Sequence, residues 1–250
     1  MRSILILIML FSGIFKVESQ LVNVESQRLK SDTIGWLGSV GITFQLEKSA
    51  VQLININAEA HLEYKSPKSI YLFLVNYNLL KGQEQTFQNN LFYHLRYNYK
   101  VDKVLRWELF TQLQQNNVAG IRARFLLGTG PRFKISGTEK FALYAATAAM
   151  YEYEKEVSKP VIVHNDIRNS SYVSFTWKPA DNYEIVNTFF FQPLFNNISD
   201  YRILHELSLE LKFIKNFSFI TKWNYLFDSE PAADIPRQVY LIKNGLKYIF

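Results

Sequence analysis

Ile34-Gly35-Trp36-Leu37-Gly38-Ser39-Val40-Gly41-Ile42-Thr43-Phe44-Gln45-Leu46 places an apolar residue or a glycine at every even position. The next run repeats the pattern. Ile54, Ile56, Ala58, Ala60, Leu62 and Tyr64 share one face, and Asn55, Asn57, Glu59, His61, Glu63 and Lys65 share the other. Successive side chains of a strand point to opposite faces, so a period of two predicts strands, and no 3.6-residue stripe competes with it. Working outward, twelve such runs can be drawn, at 33–47, 51–65, 70–80, 86–99, 105–115, 121–133, 141–155, 169–177, 183–192, 200–213, 217–228 and 239–250.

Several runs are 11 to 15 residues long, whereas strands of soluble proteins have a mode of about five or six. A tilted strand of about 9–11 residues crosses the hydrocarbon of a membrane. The connections alternate in length too. Those at 65–69, 100–104, 178–182 and 214–216 are tight, while 156–168, 193–199 and 229–238 are longer, with a middle turn at 134–140. Outer-membrane barrels keep short turns in the periplasm and long loops outside, with an even strand number. The sequence therefore predicts an all-β fold: a transmembrane, antiparallel, up-and-down β-barrel of about twelve strands.

Aromatics gather at both ends of the apolar faces. Tyr97, Trp107 and Trp177 lie near the predicted periplasmic ends, and Phe44, Tyr151 and Phe191 near the outer ends. Such rings partition to the headgroup level of a bilayer. A secreted soluble β-rich ligand-binding protein is the alternative, but it gives no reason for two girdles on one face. The chain ends on Tyr248-Ile249-Phe250, which looks like the terminal signal read by the outer-membrane barrel assembly machinery. Phe250 is thus the expected contact with that partner, and outer-membrane lipid the other; a monomer is expected.

At the other end, Arg2 precedes an apolar run at 4–15, and Val17-Glu18-Ser19 supplies small residues at the −3 and −1 positions. That is the layout of a secretory signal peptide over residues 1–19. Twelve helical residues rise about 18 Å, short of a hydrocarbon core of about 30 Å. A short periplasmic segment at 20–32 and the barrel at 33–250 follow, giving a Gram-negative outer-membrane protein. The 250 residues contain no cysteine, which excludes disulfides, thiolate metal sites and thiol nucleophiles. Apolar residues make up 48% of the chain, too many for disorder. The formal charge of +6 comes from Lys and Arg scattered singly, so no nucleic-acid footprint is present.

Hairpin arithmetic gives a rough register for the polar face. Pivoting near Asp102 sets Arg96 opposite Glu108. Pivoting near Gly137 sets Arg122 opposite Glu152, with Arg124 and Glu154 close by. Pivoting near Lys215 puts Lys222 diagonal to Glu206 and Glu210. Opposite charges meeting repeatedly across strands predict a largely paired lumen; a charged constriction selecting ions or small solutes is the alternative.

One pair invites an enzymatic reading. Pivoting near Asn196 sets His205 across from Asn187, both on the outward parity. A His–Asn pair on the outer wall of a twelve-stranded barrel resembles the outer-membrane phospholipase arrangement. Nucleophilic catalysis needs a serine within reach of the histidine, and the same-face neighbours Ile203, Leu207 and Tyr225 supply none. No catalytic residue is assigned, so the protein is not expected to be an enzyme. His61 and His94 face inward singly and His164 lies in a loop, so no metal site and no cofactor are expected.

The pieces Val22-Asn23-Val24-Glu25, His94-Leu95-Arg96-Tyr97, Arg106-Trp107-Glu108, Arg122 with Gly128, Gly130 and Arg132, Tyr151-Glu152, Gln192-Pro193 and Gly245-Leu246 follow one another in order. By their order and spacing the chain resembles the salt-induced outer-membrane protein family (YdiY-like), domain of unknown function 481. That resemblance implies a Gram-negative outer-membrane barrel and supplies no reaction or catalytic residue.

Overall fold

A computed structural model describes residues 34–48, 52–82, 85–214 and 217–248. The signal peptide at 1–19, the segment at 20–32 and the terminal Phe250 lie outside the described residues. Twelve strands follow one another: β1 (Gly35–Lys48), β2 (Gln52–Lys65), β3 (Ser69–Lys81), β4 (Thr86–Lys100), β5 (Leu105–Asn116), β6 (Ile121–Gly137), β7 (Phe141–Glu156), β8 (Val163–Ala180), β9 (Tyr183–Pro193), β10 (Tyr201–Ile214), β11 (Phe217–Asp228) and β12 (Gln238–Tyr248). They form one sheet in sequence order, and the ladders between neighbours are antiparallel. The edges of the sheet are β1 and β12, and no ladder joins them among the described residues.

The sheet is inverted relative to a soluble protein. Along β4, Asn90, His94, Arg96 and Asn98 are buried, while Tyr93, Leu95 and Tyr99 between them are exposed. Leu95 is 47% exposed beside an Arg96 at 4%. In water this arrangement would forfeit the burial of the apolar side chains and carry the cost of burying the polar ones. Against lipid both terms change sign. A 14-residue strand such as β2, rising about 3.3 Å per residue and tilted about 45°, covers roughly 33 Å, enough to cross a bilayer. Among the described residues no helix is long and apolar enough to do so.

Short polar side chains fasten the turns at the end where the sheet begins. Asp102 accepts from the backbone N–H groups of Val104 and Leu105, both at 2.7 Å. The Ser66 hydroxyl accepts from Ser69 N–H at 2.9 Å, and that of Thr138 from Phe141 N–H at 2.9 Å. The two backbone bonds hold the Asp102 carboxyl below its ordinary value.

Two boundaries differ from the sequence reading. The connection at 156–168 is shorter, because β8 begins at Val163 and pairs Asp166 with Glu152 and His164 with Glu154. His164 and Asp166 look like loop in sequence but continue the inner face of the alternation, with Asn165 exposed between them. The middle turn also tightens, since β6 runs to Gly137 and β7 starts at Phe141.

The sheet curls far enough for its two halves to meet. Gly120, in the β5–β6 connection, has φ +75° and caps a 3-10 turn at Asn117–Ala119. A Cβ built on it would lie 2.9 Å from Ala232 Cβ and 3.0 Å from Ile235 Cγ1. The β11–β12 loop at 229–237 therefore lies across the outer mouth, on a hairpin five strands away.

Candidate functional site: charge layers on the inner face

Two layers of charge stand on the inner face. In the outer layer Glu152 of β7 is met by three arginines: Arg202 Nη1 at 2.5 Å, Arg168 Nε at 2.9 Å and Arg124 Nε at 3.5 Å. Glu154 takes Arg124 Nη2 at 2.7 Å and Arg202 Nη2 at 3.2 Å. Arg202 Nε donates to Asp228 at 2.7 Å, and Arg168 Nη1 to Asp200 at 2.9 Å. Three guanidinium groups thus serve four carboxylates. Burying each charge alone would cost several kcal/mol, so the layer is stable only because its members neutralise one another.

The inner layer centres on Glu108 of β5. Arg96 Nη1 lies 3.5 Å away, Arg132 Nε 3.8 Å, and the Tyr172 hydroxyl donates from β8 at 3.0 Å. Arg132 also stacks over the Tyr144 ring, 3.9 Å from its centroid, a cation–π contact that stabilises a partly desolvated guanidinium.

Apolar side chains occupy the same inner face. Leu72, Leu74 and Phe92 form one buried cluster, and Phe110, Leu126 and Met150 another. Gly128 makes room for the second, since a Cβ there would lie 2.3 Å from Phe110 Cζ. A cavity of about 310 Å³ remains beside them, roofed by Pro231, Ala232 and Ile235 of the β11–β12 loop.

The structure rearranges the pairs read from sequence. Arg124 stands directly opposite Glu154. Arg96 and Glu108 meet on a diagonal, because the ladder sets Arg96 against Phe110 and Asn98 against Glu108. Arg122 does not face Glu152: it is exposed, and Leu126 holds the position opposite Glu152. A hairpin pivot two residues later than expected moves Arg122 away from Glu152, and a bulge between Ile121 and Ala123 takes Arg122 itself out of the ladder. Lys222 faces Ser208, diagonal to Glu206 and Glu210. Asn187 and His205 lie on a diagonal with a 2.7 Å hydrogen bond; the ladder partners are Leu207 and Phe189. Around His205 stand Trp223, edge-on at 5.4 Å, and Phe189 at 6.3 Å.

Arg168, Arg202, Asp200, Asp228, Arg132 and Tyr172 are not among the lumen charge pairs read from the sequence. The pivot near Lys215 already sets Arg202 opposite Asp228, which is where the ladder puts them. Arg168 needed only the continued alternation of β8. Among the described residues no group of three His, Cys, Asp or Glu side chains is placed to hold a metal ion.

Residues 40–250 match the family model described as a protein of unknown function, DUF481. The chain belongs to that family. Comparison with curated proteins finds no match. Among solved structures, the NanC porin aligns with a TM-score of 0.50 at 8% identity, over 85% of this chain and 100% of that one. The CymD monoaromatic hydrocarbon channel gives 0.46 at 10% identity, covering 87% and 80%. The translocator domain of the autotransporter NalP from Neisseria meningitidis gives 0.46 at 7%, covering 89% and 91%. The fold is that of outer-membrane β-barrels.

Proposed function

We propose that this protein is an outer-membrane barrel whose lumen is closed by its own salt bridges, a structural element of the membrane and no enzyme. It reaches the membrane as an exported chain, assembles as a monomer through the machinery that reads Phe250, and contacts lipid along its apolar wall. The observation that carries this reading is the outer charge layer. Arg202 of β10 joins Glu152 and Glu154 of β7, so side chains span the space a solute would cross. Apolar clusters and the loop at 229–237 fill more of that path.

The outward His205–Asn187 pair is a hydrogen bond between two polar groups on the membrane face. The ring neighbours of His205 are Phe189 and Trp223, which offer no nucleophile. Liposome swelling tests the reading. Vesicles carrying folded barrel should swell in arabinose no faster than empty ones. Swelling that scales with protein would make it an open pore instead.

A further inference from the structure

We propose that the lumen cavity is a binding site for a small uncharged molecule with an apolar, ring-sized body and one hydroxyl or amide N–H group. The inference deepens the closed lumen proposed above, since a path blocked to solutes shelters the cavity beside it from bulk water.

Three features converge on this class. The first is the wall. The rings of Phe92, His94 and Phe110 stack in series, with centroids 6.1 and 5.9 Å apart and planes 2° and 18° from parallel. Leu126 and Met150 continue that surface, and Ala232 and Ile235 close it from above. About 310 Å³ is the lower end of the range of ligand sites, roughly 300–1,000 Å³.

The second is a vacant acceptor. Asn224 of β11 lines the cavity, is 9% exposed, and its Oδ1 has no hydrogen-bond partner among the described residues. A buried carbonyl oxygen without a donor is costly, and a ligand hydroxyl or amide N–H removes that cost.

The third is charge. Arg124 and Arg202 are paired with Glu152, Glu154 and Asp228, and Arg96 with Glu108. A charged ligand would have to compete with these pairs, the lining carboxylate outside them being Glu206. A neutral one disturbs none.

The polar edge of the wall is ordered as well. Arg96 Nε donates to His94 Nε2 at 3.3 Å, which leaves the proton on Nδ1 to be donated to Gln112 Oε1 at 3.1 Å. Gln112 Nε2 then donates to Gln114 Oε1 at 3.4 Å. This series orients the imidazole with its plane near parallel to those of Phe92 and Phe110.

The test uses the full barrel in phosphatidylcholine nanodiscs and fluorine NMR of 4-fluorophenol, with empty nanodiscs as reference. Saturable binding above the reference is expected, about tenfold tighter than that of fluorobenzene, the size of one hydrogen bond. Asn224→Leu should remove that difference, and a preference for the phenol that survives the change would overturn the proposal. Absence of saturable binding to wild type would overturn the proposal. So would fluorobenzene binding as tightly as the phenol, or 4-fluorobenzylamine or 4-fluorobenzoate binding more tightly. If Asn224→Leu fails to fold, the wild-type comparison of phenol with fluorobenzene decides alone. Conductance reads the closed-lumen reading separately, so a conducting barrel that still prefers the phenol would overturn only that reading.

Discussion

Arg202 Nη1 lies 2.5 Å from Glu152 Oε1, although β8 and β9 separate their strands. A contact between neighbouring strands is a property of a ladder. This one is a property of the lumen, since it exists only when the sheet has curled and the interior is narrow. The guanidinium also holds Glu154 and Asp228, so one side chain ties three strands.

Removing it should be expensive. Arg202→Ala leaves buried carboxylates undercompensated and should destabilise the barrel by about 3–5 kcal/mol, measured by urea unfolding in lipid vesicles. The pairwise replacement Arg202→Met with Glu152→Leu should cost less than the sum of the two single changes. Additive losses would show that the two side chains act independently.

Gly130 marks a close approach of β6 to β7. A Cβ there would lie 2.0 Å from the Thr147 carbonyl oxygen and 2.6 Å from Ala148 Cα. Both obstacles are backbone, so Gly130→Ala should cost about 1–3 kcal/mol. Gly128→Ala meets only the Phe110 ring, a movable side chain, and should cost less. The same unfolding assay ranks them.

The register separates Arg122 from Arg124. Arg122 is exposed, so Arg122→Glu should change stability by no more than about 0.5 kcal/mol. Arg124→Glu places a third carboxylate against Glu152 and Glu154 and should lower stability by about 3 kcal/mol or more. Equal effects would put the β6–β7 register in error.

Asp102 gives the turn between β4 and β5 a pH dependence. Its carboxyl is held below its ordinary value because the carboxylate accepts two backbone N–H bonds. The contribution is complete above about 3.9, the unfolded value, and is lost as pH falls through the lower folded value. Asp102→Ala should therefore be less stable than wild type at neutral pH, measured by urea unfolding, and the difference should shrink below about pH 4.

Much of this was legible in the sequence, because period-two alternation is a local signal. It places most strand ends within a few residues, including the unusual length of β2 and β7. The register was legible at Lys222, which the ladder sets opposite Ser208 as a pivot near Lys215 requires. It was lost at Arg122, because the hairpin pivots two residues later than expected and the β7 partners move by four. The contacts of Arg202 with Glu152 and of Tyr172 with Glu108 join strands that are not neighbours, so no hairpin arithmetic reaches them. In β3, Ile70, Leu72 and Leu74 alternate with Tyr71, Phe73 and Val75, apolar on both faces. A lipid-facing strand with an apolar inner face implies that the lumen beside it is dry.

Single-channel recording of the refolded barrel in a planar bilayer tests the closed lumen most directly, on a sample shown to be folded by its heat-dependent gel mobility. The account predicts no discrete conductance steps from wild type. Discrete steps from wild type would contradict it, because ions would then be passing where Arg202 and Glu152 are said to meet.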